Sequence, residues 1–312
     1  MLKRSILFQL FLVSLVVICS LRFGSTSEFS WEIFEQFRLP RTILAFSVGG
    51  MLAVSGLMLQ LLFFNPLCEP YTLGLASGGT LGVIIAQTFS LPLSYFGLSP
   101  WAVLGTAACG SLLLFLSRKF RATQGELLIT GVMISFLGSS LVTLWMLVQD
   151  SAQIQNTLGY LFGDLSRAET TPAMILLVSG VISTVILFRF RKHLDALLLG
   201  EDLARSNGVD IDKMRAILLF VVTVLIAFSV SAAGMIGFVG LMVPYFVRKT
   251  VGSLHQKSLP LSFIWGGGLL LGADLISRTI VRPYEIPVGV VTSILGAPFF
   301  LWIYRHRSGR NM

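Results

Sequence analysis

One acidic residue, Asp274, falls inside a long apolar run, and Arg278 follows one helical turn later on the same face. A carboxylate at the centre of a spanning helix costs about 2.5–3.5 kcal/mol, and less near an end, so such a residue is either paired or functional. Two chemistries fit it: a proton or ion relay, and a local ion pair at a helix end. The remaining reactive side chains offer less. His193, His255 and His306 fall in basic joints between apolar runs, with no acid or cysteine at metal-ligand spacing. Cys19, Cys68 and Cys109 show no paired spacing and read as small apolar fillers. The chain carries no Gly-x-x-x-x-Gly-Lys-Ser/Thr loop, no zinc-protease helix and no paired membrane aspartates. Neither a catalytic residue nor a metal ligand nor a cofactor is expected, and any nucleotide hydrolysis must come from a second polypeptide.

The elements that hold these residues are membrane-spanning lengths of apolar sequence. Thr42–Phe64 runs without a charge, and about 20 helical residues cross roughly 30 Å of hydrocarbon. Similar runs predict ten spans, at 5–21, 42–64, 72–90, 100–117, 127–149, 172–188, 214–233, 235–247, 259–277 and 286–304. They are helices because lipid offers no partner for unpaired backbone groups and no alternating barrel pattern is present. With 54% hydrophobic and 12% charged residues in 312, the expected organisation is one all-α polytopic membrane domain over residues 1–312. The net charge of +8 invites a nucleic-acid reading, but its placement answers otherwise. With the amino terminus inside, 17 of the 23 Lys and Arg residues fall in cytoplasmic joints, Arg121 and Arg310 among them, and 6 fall outside. That asymmetry predicts both termini in the cytoplasm and makes the basic balance a matter of topology, with no nucleic-acid partner. Lys3 and Arg4 before an apolar run resemble a secretory leader, but no clean cleavage site follows, so residues 5–21 read as an uncleaved span.

Three joints are more than turns. Asn65-Pro66-Leu67-Cys68-Glu69-Pro70 stops the second span with two prolines, and Gln60 and Asn65 bring polar groups to its mouth. Arg189–Arg215 is the longest cytoplasmic joint. It has apolar residues at helical spacing, Gly200 and Gly208 as punctuation, and Glu201 and Asp202 suited to a helix start. Two short helices are expected there, either docking a soluble partner or serving as an inert amphipathic connector. Gly234–Arg248 is a span expected to be broken by Gly237, Gly240 and Pro244, either a moving, substrate-contacting part or a kinked structural helix. Gln60, Asn65, Pro66, Gly74, Gly237, Gly240 and Pro244 are the candidates for the translocation path and its gates. The glycine rows Gly74, Gly78, Gly82 and Gly266, Gly267, Gly268, Gly272 read as close helix packing.

These joints together resemble a family. Arg38-Leu39-Pro40-Arg41, Gly49, Gln60, Asn65-Pro66-Leu67 and Leu73-Gly74 are similar to the opening of the FecCD-type permeases of bacterial ABC importers. The carboxyl-terminal third matches further. Its motifs are Leu199-Gly200-Glu201, Ala204, Gly208, Gly237-Phe238-Val239-Gly240-Leu241, Val243-Pro244, Asp274, Arg278, Glu285-Ile286-Pro287-Val288-Gly289 and Gly296-Ala297-Pro298-Phe299-Phe300. The resemblance covers roughly residues 38–305 and implies the type II ABC importer permease fold of ten spans in a bacterial inner membrane. It implies two permease copies as a homodimer, two ATPase subunits that use the ATP, and an extracytoplasmic substrate-binding protein. The segment 194–213 would be the coupling segment, with Gly200, Glu201, Ala204, Arg205 and Gly208 addressing the ATPase. Arg38, Arg41 and Arg278 would receive acidic residues of the binding protein. The implied cargo is an iron–siderophore chelate, with haem or cobalamin (vitamin B12) as alternatives. A proton-coupled secondary transporter is the rival reading. Tyr245 departs from the family's usual His after Val-Pro. Asn156–Leu165 replaces a Trp-rich stretch, and Cys68-Glu69 an Ala-acid pair.

Overall fold

The computed structural model describes residues 2–24, 30–95, 97–119, 123–282 and 284–308; Arg121 and Arg310, counted above among the basic residues, lie outside these. Among the described residues the chain is helical without a strand. The order is α1 (Leu2–Arg22), α2 (Trp31–Ile33), a π-turn (Phe34–Arg38), α3 (Leu39–Leu62), a 3-10 turn (Pro70–Leu73), α4 (Leu75–Thr88), α5 (Pro100–Lys119) and α6 (Gln124–Met146). Then come α7 (Ser151–Phe162), α8 (Thr170–Arg189), α9 (Arg191–Leu197), α10 (Glu201–Ser206), α11 (Ile211–Ala233), α12 (Val239–Val251), α13 (His255–Thr279) and α14 (Val288–Ser308). Each of the ten expected spans falls on one of these helices. Among the described residues six helices are long and apolar enough to cross a membrane, and Gln9–Arg22, Leu75–Thr88 and Val288–Leu301 are shorter apolar helices.

Burial sorts the helices into a centre and a rim. The span containing α3 is 89% buried, because α3 is apolar on every side and is packed by α8, α11, α12 and α13. By contrast α5, α6 and α8 are buried over only 28%, 22% and 33% of their spans. Phe136, Leu144 and Val185 are exposed on this rim, as expected of surfaces that meet lipid. At the centre the backbones nearly touch. A Cβ on Gly56 of α3 would lie 1.8 Å from the carbonyl oxygen of Gly240 on α12, and one on Gly49 would lie 2.2 Å from that of Gly266 on α13. The glycine row of α4 likewise admits α5, for a Cβ at Gly82 would meet the Trp101 carbonyl at 1.9 Å.

Two expectations need correction. Gly240 and Pro244 do not break a helix, since both lie inside α12. The interruption sits earlier, over 234–238, and Gly237 belongs to it. A proline deprives the carbonyl four residues back of its donor, and here that carbonyl, Gly240, accepts from Gln60 Nε2 at 3.2 Å. The second correction is α7, for which no helix was expected. Its twelve residues mix polarity too evenly to stand out, but Asp150 caps it by accepting from the Gln153 N–H at 2.9 Å.

Candidate functional site

The expected path residues divide into a central junction and a separate turn. At the junction the chain leaves α11 through Gly234 (φ 68°), runs unwound to Phe238 (φ 68°) and re-enters a helix at Val239. Unpaired backbone inside a bundle must find donors and acceptors within the protein. The Met235 N–H donates to the Tyr160 carbonyl at 2.9 Å, the Ile236 N–H donates to the Tyr71 hydroxyl, and the Phe238 N–H donates to Glu69 Oε2 at 3.1 Å. Thus the 3-10 turn after α3 and the gap before α12 satisfy each other. Burial holds the Glu69 carboxyl above its ordinary pKa, opposed by the Phe238 N–H, and raises the neighbouring Cys68 thiol to about 12. Gln60 bridges the junction to the basic end of α12, accepting from Arg248 at 2.5 Å while donating to Gly240. A Cβ on Gly237 would meet nothing within 4 Å, so this glycine faces open space in the single chain. Asn65 and Pro66 stand apart, with Asn65 Oδ1 closing a local turn onto the Leu67 N–H. Gly74 (φ 73°) joins the 3-10 turn to α4 and lies against Ile134 of α6.

Asp274 is paired. Arg41 of α3 donates from Nε to Asp274 Oδ1 at 2.9 Å and from NH1 to Glu285 Oε2 at 2.7 Å. Arg278 Nε stands 3.3 Å from Asp274 Oδ2, so the expected local ion pair exists within a larger cluster. Arg278 also donates to the Ser20 carbonyl at 3.0 Å, and Arg38 to that of Arg22 at 2.5 Å. Asp274 is fully buried, and Arg278 and Arg38 are 2% and 3% exposed. Of the three arginines read as docking residues, Arg41 comes nearest the surface, with 12% of its side chain exposed. Arg41 lies 233 residues from Asp274 and 244 from Glu285 in sequence, and no local pattern foretells their pairing.

At the other end of α13 the long joint folds as expected into two short helices, α9 and α10, punctuated by Gly200 (φ 104°) and Gly208 (φ 79°). Their residues face two ways. Arg205 and Gly208 are exposed, whereas Ala204 is fully buried. Glu201 points inward, where Oε1 accepts from Gln124 at 2.7 Å and Arg215 at 2.9 Å. A cleft of about 480 Å³ opens beside it, lined by Phe64, Gln124, Gly125, Gly200, Glu201 and Arg215. His255, which the sequence left without a partner, is buried against Asp195 of α9. Nineteen residues separate His255 from Asp274, about 29 Å along α13 at 1.5 Å per residue, so the two polar ends lie about one hydrocarbon thickness apart. Among the described residues no group of three or more His, Cys, Asp or Glu could hold a metal ion.

Fold and site together define a polytopic helical membrane protein with an interrupted central helix, a charged cluster at one end and a two-helix segment at the other. Residues 4–306 match the model of the FecCD transport family, and the chain belongs to that family as a permease. It is 37% identical to the hemin transport system permease protein HmuU of Yersinia pestis over 92% of this chain and 87% of that protein. It is 36% identical to the vitamin B12 import system permease protein BtuC of Vibrio cholerae, over 90% and 85% respectively. A chain of a metal-chelate type ABC transporter solved in an inward-facing conformation superposes with a TM-score of 0.88 at 29% identity, covering 97% of this chain and 99% of that one.

Proposed function

We propose that this chain is the permease subunit of an ATP-driven importer that carries an iron chelate across a bacterial inner membrane with both termini in the cytoplasm. An iron–siderophore chelate is the favoured cargo, with haem and cobalamin as the alternatives. Two separate ATPase chains burn the nucleotide, a binding protein delivers the chelate, and a second copy of this chain completes the pore. The observation that carries the reading is the two-helix segment 191–206, with Leu199, Leu203 and Arg205 exposed for a partner and its inner side fastened to the spanning helices. Gly200, Glu201, Ala204, Arg205 and Gly208 form the coupling segment, through the exposed members by contact and the buried members by support. Family membership and the similarity to permeases named for hemin and vitamin B12 support a metal-chelate cargo.

Gln60, Gly237, Gly240 and Pro244 make the junction at which α12 tilts, and Asn65, Pro66 and Gly74 shape the separate turn between α3 and α4. Arg41 is the member of the outer cluster that meets acidic residues of the binding protein, with Arg38 and Arg278 behind it; opposite charge there steers encounter and is weakened by salt. The rival reading, in which Asp274 relays protons, is disfavoured by the arginines that hold its carboxylate.

The test is reconstitution in vesicles with a partner ATPase and binding protein, supplied in turn with a ferric siderophore, haemin and cyanocobalamin. ATP-dependent accumulation of one of them is expected. Uphill transport by the isolated chain, driven by a proton gradient without an ATPase, overturns the proposal.

A further inference from the structure

A segment can pass a push to membrane helices only if it is fastened to them. Residues 191–206 carry three carboxylates, at Asp195, Glu201 and Asp202. Asp202 is exposed, but the other two reach different helices. Asp195 Oδ1 accepts from the His255 backbone N–H at 2.8 Å and lies 2.7 Å from Nδ1 of the same residue. His255 is the first residue of α13 and is 1% exposed, so this contact grips the end of a spanning helix from inside the protein. Glu201 Oε1 accepts from Gln124 at the start of α6 and from Arg215 in the second turn of α11. Leu194 and Ala204, both fully buried, pack beside these contacts.

We propose that Asp195 and Glu201 are positioning residues that anchor the coupling segment at two independent points. Asp195 fastens α9 to α13, and Glu201 fastens α10 to α6 and α11. A push on the exposed side of the segment then arrives at three spanning helices at once. Along α13, helical throughout from His255 to Thr279 with Pro260 inside it, the displacement is carried about 29 Å to the Arg41–Asp274–Arg278 cluster. This inference rests on the reading of the segment as the ATPase-facing part, and it gives Glu201 an inward task rather than contact with the partner. His255 thereby gains a role as the socket for Asp195.

Hydrogen exchange of the full chain in lipid nanodiscs tests the anchors without any partner. Asp195→Ala should speed exchange of amides 191–199 by about ten- to a hundred-fold, the loss of a charge-assisted hydrogen bond, and leave 201–206 slow. Glu201→Ala should do the converse. His255→Ala should act more weakly than Asp195→Ala, because the backbone N–H still reaches the carboxylate. Asp195→Asn, which keeps the acceptor oxygen, should restore most of the protection and exclude a general folding defect. In the complex with its ATPase, trapping with ATP and vanadate should change exchange at 276–280 in the unmodified protein. After Asp195→Ala that response should be lost while nucleotide is still trapped. Unchanged exchange of 191–199 in Asp195→Ala, or a response at 276–280 that survives their release, overturns the inference. Failure of the unmodified chain to bind any ATPase counts against the proposed function instead, and the exchange result alone then decides the anchors.

Discussion

Replacing Asp274 by Asn tests the outer cluster most directly. Asp274 and Glu285 balance Arg41 and Arg278 in the ion pairs of this cluster. The substitution leaves one surplus positive charge among side chains of which Arg278 is 2% exposed. Removing one partner of a buried pair costs about 3–5 kcal/mol, because the orphaned charge keeps its desolvation penalty. Asn retains an acceptor for Arg41 Nε, which places the expected loss at the lower end, about 3 kcal/mol. The second step removes the orphan. Asp274→Asn with Arg278→Met restores neutrality and should recover the loss to within about 1 kcal/mol, since a buried pair exchanged for apolar packing is often neutral or stabilising. Reversible unfolding in mixed micelles, followed by tryptophan fluorescence, reads both. A single variant that loses less than about 1 kcal/mol, or a double variant worse than the sum of the two single ones, refutes the account of this cluster as mutually neutralising.

Gly56→Ala should destabilise by about 1–3 kcal/mol or more, because its methyl would stand 1.8 Å from the Gly240 carbonyl and backbone on both sides must move; unchanged thermal unfolding would contradict the close approach of α3 and α12. Gly208→Arg, at an exposed site with φ 79°, should insert and fold yet uncouple ATP hydrolysis from uptake, and normal uptake counts against the assigned segment. Glu69→Gln bears on pH. Burial raises the folded-state pKa of Glu69 above the ordinary 4.5, so its folded state favours the proton and stability falls as pH rises from there through the raised value. Glu69→Gln, still able to accept from Phe238, should flatten that decline and stabilise the protein at neutral pH. A variant whose unfolding keeps the slope of the original over that range would show that Glu69 does not titrate on unfolding.

Much of this architecture is legible in the sequence because lipid allows few alternatives. A run like Thr42–Phe64 has to be a helix, and all ten expected runs fall on helices. The two short helices of the long joint are equally readable from glycine punctuation and Glu201-Asp202. Pro244 misled because a proline signals a lost hydrogen bond but not the side chain that replaces it, and Gln60 lies 180 residues from Gly240. Likewise Asp195 and His255, separated by 60 residues, have no signal in spacing and meet only because α9 folds under α13. Local chemistry reveals elements and their ends. Pairings across the bundle are set by tertiary packing.

The arrangement of long helices outside and short ones within has a consequence for the surrounding bilayer. The thirteen residues of α12 and fourteen of α4 reach only about 20 Å, too little for a lipid-facing span, yet both are largely covered by protein. Acyl chains meet α5, α6 and α8 instead, of twenty, twenty-three and twenty residues. Bilayer thickness is therefore matched to the exposed rim helices rather than to α4 and α12. A change in bilayer thickness is met first by these lipid-facing helices, and it reaches the short, protein-covered interior only through them.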